Sequence, residues 1–204
     1  LNPFAALIPR KLEEIAALQL PIEMIAPSHG AIWRERPFTI VEKYDEWAKA
    51  YQEDQVTIAY DTMWNGTEAI AHAIAEEIKR QSPATVVKVY NIAKSDKNEV
   101  MTEVFKSRAI AVGSPTYINS VLASVTGWLA FLKSLKFKKK RAAAFGCYGW
   151  SGEGVKVLQE SLQDAGFAVI DEHVKSLWNP GEDDFAKIPE LVKALLEEIG
   201  RAHV

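Results

Sequence analysis

Residues 61–67, Asp-Thr-Met-Trp-Asn-Gly-Thr, combine hydroxyl side chains with a glycine in a pattern that suits a phosphate group. They follow an apolar run at 56–60 and precede a helical pattern at 69–80 that has apolar residues on one face. The first N–H groups of a helix have no partner within it, and the helix dipole favours an anion there. Thr62 and Thr67 add hydroxyl donors. The turn therefore predicts a phosphate site made of neutral donors.

The absence of Lys and Arg from this turn excludes one familiar kind of phosphate site. A P-loop nucleotide hydrolase needs a Gly-Lys-Ser or Gly-Lys-Thr ending, and the turn does not have one. A turn that is capped by Asn65 or Thr67 and binds nothing stays open as an alternative.

Two further stretches carry small and aromatic residues that suit a flat, conjugated ligand. Residues 114–119 read Ser-Pro-Thr-Tyr-Ile-Asn, and residues 146–152 read Gly-Cys-Tyr-Gly-Trp-Ser-Gly. Aromatic rings sandwich such a ligand by stacking, and glycines let the backbone approach its edge. With the phosphate turn, and without an acid, base or nucleophile, they predict a flavin mononucleotide (FMN) site in which the cofactor supplies the chemistry. Ordinary packing of Tyr117, Tyr148 and Trp150 on helices is the alternative.

Five strand–helix units position these stretches. The strands are predicted at 56–60, 85–91, 109–113, 142–147 and 168–174. The helices are predicted at 67–80, 97–106, 120–134, 152–166 and 183–199. Apolar strands that alternate with helices predict an α/β fold with a five-stranded parallel sheet, flavodoxin-like in its order 2-1-3-4-5, and with helices on both faces.

Ligands of such sheets bind beyond the carboxyl ends of the strands, where the strand order reverses. The loops after strands one, three and four should therefore meet around one ligand. The cofactor-binding residues that we predict are Thr62, Met63, Trp64, Asn65, Gly66, Thr67, Ser114, Pro115, Thr116, Tyr117, Ile118, Asn119, Gly146, Cys147, Tyr148, Gly149, Trp150 and Gly152.

Residues 1–53 differ from the regular pattern that follows. The predicted elements there are a helix at 11–20, a strand at 22–26 and a helix at 38–51. This is too little material to close a core alone, so we divide the chain into an appendage, 1–53, and a flavodoxin-like domain, 54–204. His29 stands in the appendage at a strand end, where a metal ligand or an ordinary loop imidazole would fit.

Composition and charge narrow the class of protein further. A formal net charge of -3 gives no electrostatic reason to expect a nucleic acid or an anionic membrane as partner. The one cysteine, Cys147, rules out an internal disulfide, and no apolar run is long enough to span a bilayer. Without a signal peptide, the expected location is the cytoplasm. The basic run 136–141 predicts a solvated edge, or else a docking patch for an acidic electron-transfer partner.

The three loops in this order resemble those of one known family. Residues 62–67, 114–119 and 145–153 look like the FMN loops of flavodiiron proteins, also called A-type flavoproteins. Within that family, the loops resemble those of the anaerobic nitric oxide reductases of the flavorubredoxin type. Cys147 departs from the family pattern, in which serine is usual, and adds a thiol next to the flavin.

The resemblance extends into the first part of the chain. Residues 26–30 and the following Trp33 and Arg34 resemble the last iron-ligand segment of that family's metallo-β-lactamase-like domain. The resemblance implies that residues 1–53 are the C-terminal remnant of this domain and that His29 is one iron ligand. The family's other ligands lie upstream, so the diiron centre would exist only in a full-length parent. A chain that begins with leucine rather than methionine fits the same expectation.

For the FMN, the resemblance implies a role for each loop. Thr62, Thr67 and the amides of residues 63–66 would hold the phosphate, and Trp64 would reach the dimethylbenzene edge. The two sides of the ring would be lined by Pro115, Thr116, Tyr117 and Asn119, and by Tyr148, Gly149 and Trp150.

For the activity, the resemblance implies that electrons pass from reduced FMN to a diiron centre, which reduces oxygen to water or nitric oxide to nitrous oxide. A rubredoxin-like or other redox protein would be the electron donor. The protein would form a homodimer or tetramer, in which a head-to-tail dimer brings each flavin near the partner chain's iron.

Three other classes share parts of this pattern. A stand-alone flavodoxin-like electron carrier or an FMN-dependent quinone reductase would have the same loops. A carrier of this kind has no reason to carry the appendage. A phosphorelay receiver has the same strand order, and Asp61 could serve as one of its carboxylates. However, Ser114 and Pro115 stand where its phosphoacceptor Asp should be.

Overall fold

The computed structural model describes residues 2–197, and the chain divides into two compact units, Leu1–Tyr51 and Gln52–Val204. The elements of the first unit are a 3-10 helix at Asn2–Phe4, α1 at Ile8–Ala17 and α2 at Phe38–Ala48. Both predicted helices are present, and each ends three residues earlier than predicted. The assignment of this region to a metallo-β-lactamase-like remnant stays a prediction.

The predicted strand at 22–26 is wrong. Only Ile25 pairs there, in an antiparallel bridge with Trp33. Pro21 and Pro27 flank the segment, and a proline, which has no N–H donor, does not extend a ladder of hydrogen bonds. The segment is therefore an extended loop that is fixed at one point.

The second unit is built on a parallel sheet. Its strands are β1 (Glu53–Tyr60), β2 (Val86–Asn91), β3 (Ser107–Gly113), β4 (Thr116–Tyr117), β5 (Ser120–Val121), β6 (Arg141–Tyr148), β7 (Ala168–Val169) and β8 (Val174–Leu177). The order in the sheet is β2-β1-β3-β6, and β7 and β8 both pair with β6 in parallel. Because β7 and β8 are two parts of the predicted fifth strand, the predicted order 2-1-3-4-5 is confirmed. β4 and β5 form a separate antiparallel hairpin.

Helices cover both faces of this sheet, as predicted. They are α3 (Gly66–Gln81), α4 (Lys97–Lys106), α5 (Ala123–Leu135), α6 (Gly154–Asp164), α7 (Glu182–Phe185) and α8 (Ile188–Leu196). α3 and α8 share one buried cluster with Ala109 and Ala111 of β3, whereas α4, α5 and α6 share another with Ile110 and Val112. Successive side chains of a strand point to opposite faces, so each central strand is buried on both sides. None of the helices within residues 2–197 has the length and apolar character needed to cross a membrane.

The fifth strand is interrupted, contrary to the single strand predicted at 168–174. Ala142 of β6 pairs with Val169, and Phe145 pairs with Val174. Between these pairs β6 advances by three residues and the outer segment by five, so part of the polar stretch after β7 leaves the sheet. β8 then continues the edge next to the end of β6.

Three predicted helices also differ in their bounds by more than one residue. α5 begins at Ala123 rather than at residue 120, because the preceding residues form the β4–β5 hairpin. The predicted helix at 183–199 is two helices, α7 and α8, and residues 198 and 199 lie outside the described residues. α6 is shorter than the predicted 152–166.

The basic run at 136–141 is only partly the solvated edge that the sequence predicts. Phe137 and Lys140 are 2% and 3% exposed. The Lys140 ammonium donates to the carbonyl O of Phe105 at 2.9 Å and to that of Ser107. Burial lowers the pKa of Lys140 to about 8. The run lies at the amino end of β6.

Candidate functional site

A cavity lies at the carboxyl edge of the sheet, where the loops after strands one, three and four meet. It has a volume of about 180 Å³. Its walls come from these three loops and from a fourth segment that follows β8. The lining residues are Thr62, Met63, Trp64, Gly66, Thr67, Pro115, Thr116, Cys147, Tyr148, Gly149, Trp150, Trp178 and Asn179. The cavity is therefore at the switch point that the strand order defines.

Asp61 fixes the turn that follows β1. Its carboxylate accepts a hydrogen bond from the backbone N–H of Thr62 at 2.8 Å and another from the hydroxyl of Ser124. The residue is 9% exposed, so water competes little for these bonds. Because Ser124 belongs to the first turn of α5, the carboxylate joins the turn after β1 to the start of α5. Asp61 is thus engaged in positioning rather than facing the cavity.

Asn65 is the N-cap residue of helix α3, and its φ of +64° is left-handed. Asn adopts this conformation more readily than most other residues. Its side chain makes no capping hydrogen bond. Within the described chain, the backbone N–H groups of residues 63–68 find no acceptor. The start of α3 therefore presents a set of open donors.

Two buried hydroxyls in the same turn also lack partners. The Oγ1 atoms of Thr62 and Thr67 are buried, and neither makes a hydrogen bond of good geometry within the described chain. Burial raises the pKa of the Cys147 thiol, and the Thr67 hydroxyl faces this thiol closely enough to exert a smaller, opposite effect on that pKa. A buried polar atom without a partner costs about 1–3 kcal/mol, so a pair of them beside a cavity indicates that a ligand completes the bonding. Hydroxyl and N–H groups together can donate several hydrogen bonds. The ligand group that matches them is an oxyanion such as a phosphate.

Gly66 allows the start of α3 to lie close to β6. A Cβ atom there would be 2.9 Å from Sγ of Cys147 and 3.3 Å from the backbone O of Trp178. The Cys147 thiol is 8% exposed, and burial raises its pKa. It stays protonated at neutral pH, so it serves as a small packing group rather than as a nucleophile.

The loop after β3 is held by Ser114. The hydroxyl of Ser114 donates to the carbonyl O of Pro115 at 2.9 Å and accepts from the N–H of Leu122 at 3.1 Å. Between them the chain forms the β4–β5 hairpin. Ile118 and Asn119 have φ values of +47° and +55°, as the two central residues of a type I′ turn require. A β-branched residue rarely adopts this conformation, so the turn at Ile118 is strained.

Two close contacts join the loops after β3 and β6. A Cβ on Gly146 would lie 1.9 Å from the carbonyl O of Ser114, so only glycine fits there. The hydroxyl of Thr116 accepts from the N–H of Gly154 at 3.0 Å and thereby caps the start of α6. The two walls of the cavity are therefore fixed to each other.

Three tryptophans surround the mouth of the cavity. Trp64 and Trp150 are 84% and 86% exposed. The ring of Trp178 lies edge-on to that of Trp150, with centroids 5.2 Å apart and planes at 67°. Nζ of Lys175 lies 4.7 Å from the ring centroid of Tyr148. A group of large, exposed aromatic side chains beside a cavity is typical of a binding site for a flat ligand.

Most of the predicted cofactor-binding residues line this cavity. Those that do are Thr62, Met63, Trp64, Gly66, Thr67, Pro115, Thr116, Cys147, Tyr148, Gly149 and Trp150. Those that lie outside its wall are Asn65, Ser114, Tyr117, Ile118, Asn119, Gly146 and Gly152. Sequence reasoning missed Trp178 and Asn179. The signal was present, because the rule that places the other loops at this edge also places the loop after strand five there.

His29, the predicted metal ligand, lies on an exposed loop of the first unit. Among residues 2–197, no group of three or more His, Cys, Asp or Glu side chains is arranged to hold a metal ion. The role of His29 as an iron ligand stays a prediction.

A doubly wound parallel sheet with open donors and aromatic side chains at its switch point defines the flavodoxin-like class of α/β proteins. The sequence profile of the family described as flavodoxin matches residues 58–196, which include every helix from α3 to α8. The chain belongs to the flavodoxin family.

The chain is also similar to longer proteins. It is 47% identical over 183 residues to the anaerobic nitric oxide reductase flavorubredoxin of Klebsiella pneumoniae, a match that covers 90% of this chain and 38% of that protein. The flavorubredoxin of Aeromonas hydrophila is 45% identical over 190 residues, or 93% of this chain and 38% of that protein. The chain thus spans less than half the length of these curated relatives. The predicted resemblance to flavodiiron proteins of the flavorubredoxin type is confirmed.

Solved structures give the same result for the fold. The rubredoxin oxygen:oxidoreductase of Desulfovibrio gigas superposes with a TM-score of 0.89 at 33% identity, over 95% of this chain and 48% of that one. The flavodiiron protein of Giardia intestinalis superposes with a TM-score of 0.83 at 27% identity, over 94% of this chain and 48% of that one. An archaeal flavodoxin gives 0.61 at 27% identity, over 69% of this chain and 95% of that one.

Proposed function

We propose that the chain binds FMN at the carboxyl edge of its sheet and works as the electron-transfer domain of a flavodiiron oxidoreductase. One observation carries the FMN proposal: the open donors of Thr62, Thr67 and the α3 start border a cavity whose other walls are aromatic. FMN matches both features, since it has a phosphate at one end and a flat ring at the other.

The phosphate would be held by neutral groups. No Lys or Arg stands among the residues that line the cavity, so hydroxyls, backbone N–H groups and the dipole of α3 would balance its charge. Thr62, Gly66 and Thr67 would be the main contacts. The ring would lie among Met63, Trp64, Pro115, Thr116, Tyr148, Gly149 and Trp150, with Tyr117 and Asn119 of the hairpin near its edge.

The residues of the cavity wall bind and orient the cofactor rather than react. None of the lining side chains is a carboxylate or an imidazole, so the wall offers no general acid or base. When bound, FMN supplies the transfer of one or two electrons. The exposed mouth beside Trp64 and Trp150 would leave the ring accessible to a redox partner.

The activity of the whole enzyme is inferred from the relatives. One is named an anaerobic nitric oxide reductase and another a rubredoxin oxygen:oxidoreductase. We therefore propose reduction of nitric oxide to nitrous oxide or of oxygen to water, at a diiron site that lies mostly outside this chain. His29 would supply one iron ligand. The electron donor would be a rubredoxin-like or other redox protein, and the enzyme would be a homodimer or tetramer.

The length of the shared fold favours this assignment over a stand-alone flavodoxin. Residues 52–204 make up about three quarters of the chain, so a match over 95% of it includes most of the first unit. The archaeal flavodoxin matches only 69%. The first unit is therefore shared with the flavodiiron fold and is extra in a simple electron carrier.

Titration with FMN and with riboflavin tests the cofactor proposal. We expect FMN to quench the tryptophan fluorescence and to bind about 100-fold more tightly than riboflavin, or about 2.7 kcal/mol, because riboflavin lacks the phosphate. Riboflavin that binds as tightly as FMN would contradict the role of the α3 start.

Rapid mixing of the reduced, FMN-loaded chain with nitric oxide or oxygen tests the wider assignment. We expect slow reoxidation by the chain alone and fast turnover by a parent protein that also contains the diiron site. An absorbance spectrum and an iron assay accompany the kinetics. A pair of irons bound to this chain, or steady quinone reduction with NAD(P)H, would point to a different enzyme.

A further inference from the structure

Trp178 lies where the phosphate turn and the aromatic loop come together. Its backbone N–H donates to the carbonyl O of Tyr148 at 2.8 Å. Its own carbonyl O is 3.3 Å from the position that a Cβ on Gly66 would take, next to the start of α3. Its ring contacts that of Trp150 edge-on. One residue therefore touches the end of β6, the start of α3 and the most exposed indole of the cavity mouth.

Gly149 explains how the indole can come so close. A Cβ at this position would lie 2.9 Å from Cη2 and 3.0 Å from Cζ3 of Trp178. Real side chains do not tolerate such distances, so glycine leaves the room that the ring occupies. The indole packs on the Gly149 backbone and against Trp150 at once.

The backbone of Trp178 is strained. Its φ of +60° lies in the left-handed region, which bulky residues avoid because Cβ approaches the carbonyl oxygen. The side chain is 59% exposed, so burial of apolar surface does little to offset the strain. Strain that persists beside a cavity is characteristic of functional sites.

We propose that Trp178 is a positioning residue of the FMN site, which holds the Trp150 indole and the Gly149 backbone in the arrangement that receives the flat ring. The inference rests on the proposed function and adds a fourth loop to the site. A side chain that is held in advance loses less freedom when a ligand binds. The contribution of Trp178 is therefore to the affinity for the ring and not to that for the phosphate.

Circular dichroism of the ligand-free chain tests the arrangement. Two indoles in contact give an exciton couplet in the far ultraviolet, and an isolated indole does not. We expect Trp178→Phe and Trp150→Phe each to remove the same couplet. Phe131→Leu, which changes a partly exposed aromatic side chain on α5, is the control and should leave it intact. A couplet that survives Trp178→Phe would overturn the inference.

Calorimetry with FMN and with riboflavin tests the effect on the ring. We expect Trp178→Leu to weaken both ligands by the same factor, about 10-fold, which corresponds to about 1.4 kcal/mol. Trp178→Phe keeps an aromatic ring and should recover part of the loss. Trp150→Leu should reduce the flavin affinity by a smaller factor in the Trp178→Leu variant than in the wild type, because the two residues act together. Phe131→Leu should bind as the wild type does.

A merely structural role gives a different pattern. A loss for FMN alone would mean that Trp178 acts through the α3 start, and additive losses would mean that it does not act through Trp150; either result overturns the inference. If the wild type binds both flavins and Trp178→Leu binds them equally well, the inference fails while the proposed function stands. If the wild type binds neither flavin, the proposed function fails and takes the inference with it.

Discussion

Two buried polar clusters lie at opposite edges of the same sheet, and they differ in how their hydrogen bonds are satisfied. The amino-edge cluster consists of Gln55, Thr57, Glu103, Ser107 and Lys140. The cluster at the carboxyl edge consists of Thr62, Thr67 and the open N–H groups of the α3 start. The first uses its polar atoms within the protein, whereas the second leaves its donors without partners.

The amino-edge cluster is closed by several bonds. Nε2 of Gln55 donates to Oε2 of Glu103 at 3.0 Å and to the hydroxyl of Ser107 at 3.1 Å. The Ser107 and Thr57 hydroxyls are 2.8 Å apart. Lys140 donates to backbone carbonyls of the same region. Such a network stabilises the fold and fixes the start of the central strands.

This difference shows how buried polar groups that stabilise the fold can be distinguished from those that bind a ligand. Burial of polar atoms is found at both edges, so burial does not mark the site. What marks it is the combination of unsatisfied donors with a cavity. Nε1 of Trp128 also lacks a partner, but it lies in the core and borders no part of this cavity. Four substitutions break or sharpen this comparison.

The largest effect is expected for Gly146→Ala at the carboxyl edge. The new Cβ would collide with the Ser114 carbonyl, a backbone atom that has no room to move, so the free energy of unfolding should fall by about 3 kcal/mol. Gly127→Ala is the control, because no atom lies within 4 Å of its Cβ position, and should raise that free energy by about 0.5–1 kcal/mol. Urea unfolding measures both. Equal midpoints for Gly146→Ala and the wild type would refute the tight packing of the two loops.

The next effect is expected for Ser107→Ala in the amino-edge cluster. The substitution removes the partner of the buried Thr57 hydroxyl, whereas Gln55 keeps its bonds to the side chain and carbonyl O of Glu103, so the free energy of unfolding should fall by about 2 kcal/mol. The affinity for FMN should not change, because the cluster lies at the other edge of the sheet. A change in affinity without a change in stability would reverse the assignment of the two edges.

The opposite result is expected for Thr67→Val at the carboxyl edge. Removal of a hydroxyl without a protein partner should leave the stability of the ligand-free chain the same or slightly higher. The affinity for FMN should fall about 10-fold, or about 1.4 kcal/mol, whereas that for riboflavin should stay constant. Calorimetry with the two ligands checks this. A marked loss of stability without ligand would show that Thr67 has a structural partner.

The smallest effect is the pH dependence that Lys140 introduces. Its pKa is about 8 in the folded chain and about 10.4 in an unfolded one, so from about pH 8 upward the folded state loses its proton first. The unfolded state then binds more protons, and stability should rise by about 1 kcal/mol between about pH 7.5 and pH 9. In Lys140→Met this rise should be absent. Parallel profiles for the two proteins would contradict the buried position of the ammonium.

Much of the fold was predictable because its signals are local. The apolar strands at 56–60 and 109–113 and the helical periodicity between strands indicate the parallel sheet, and its strand order follows from the common doubly wound pattern. The fifth strand was harder, because a break of two residues in register depends on the partner strand. The hairpin at 116–121 has strands of two residues, too short for any periodicity to show.

The site was predictable in the same measure. The turn at 61–67 carries its chemistry in consecutive residues, and so do the loops after strands three and four. The contact of Trp178 with Gly149 joins residues that are distant in the sequence, so neither residue indicates it alone. The burial of Lys140 was not predictable from the sequence, because the residue stands in a run of charged residues that is typical of an exposed segment. Its side chain is buried because of where the chain enters β6.

The indole of Trp178 resting on Gly149 constrains how this sequence can evolve. Alanine at 149 would displace the Trp178 ring from the loop. Replacement of Trp178 by a small residue would instead leave room for a side chain at 149. Substitutions at the two positions are therefore expected to arise as pairs, so that homologues with a side chain at 149 carry a small residue at 178.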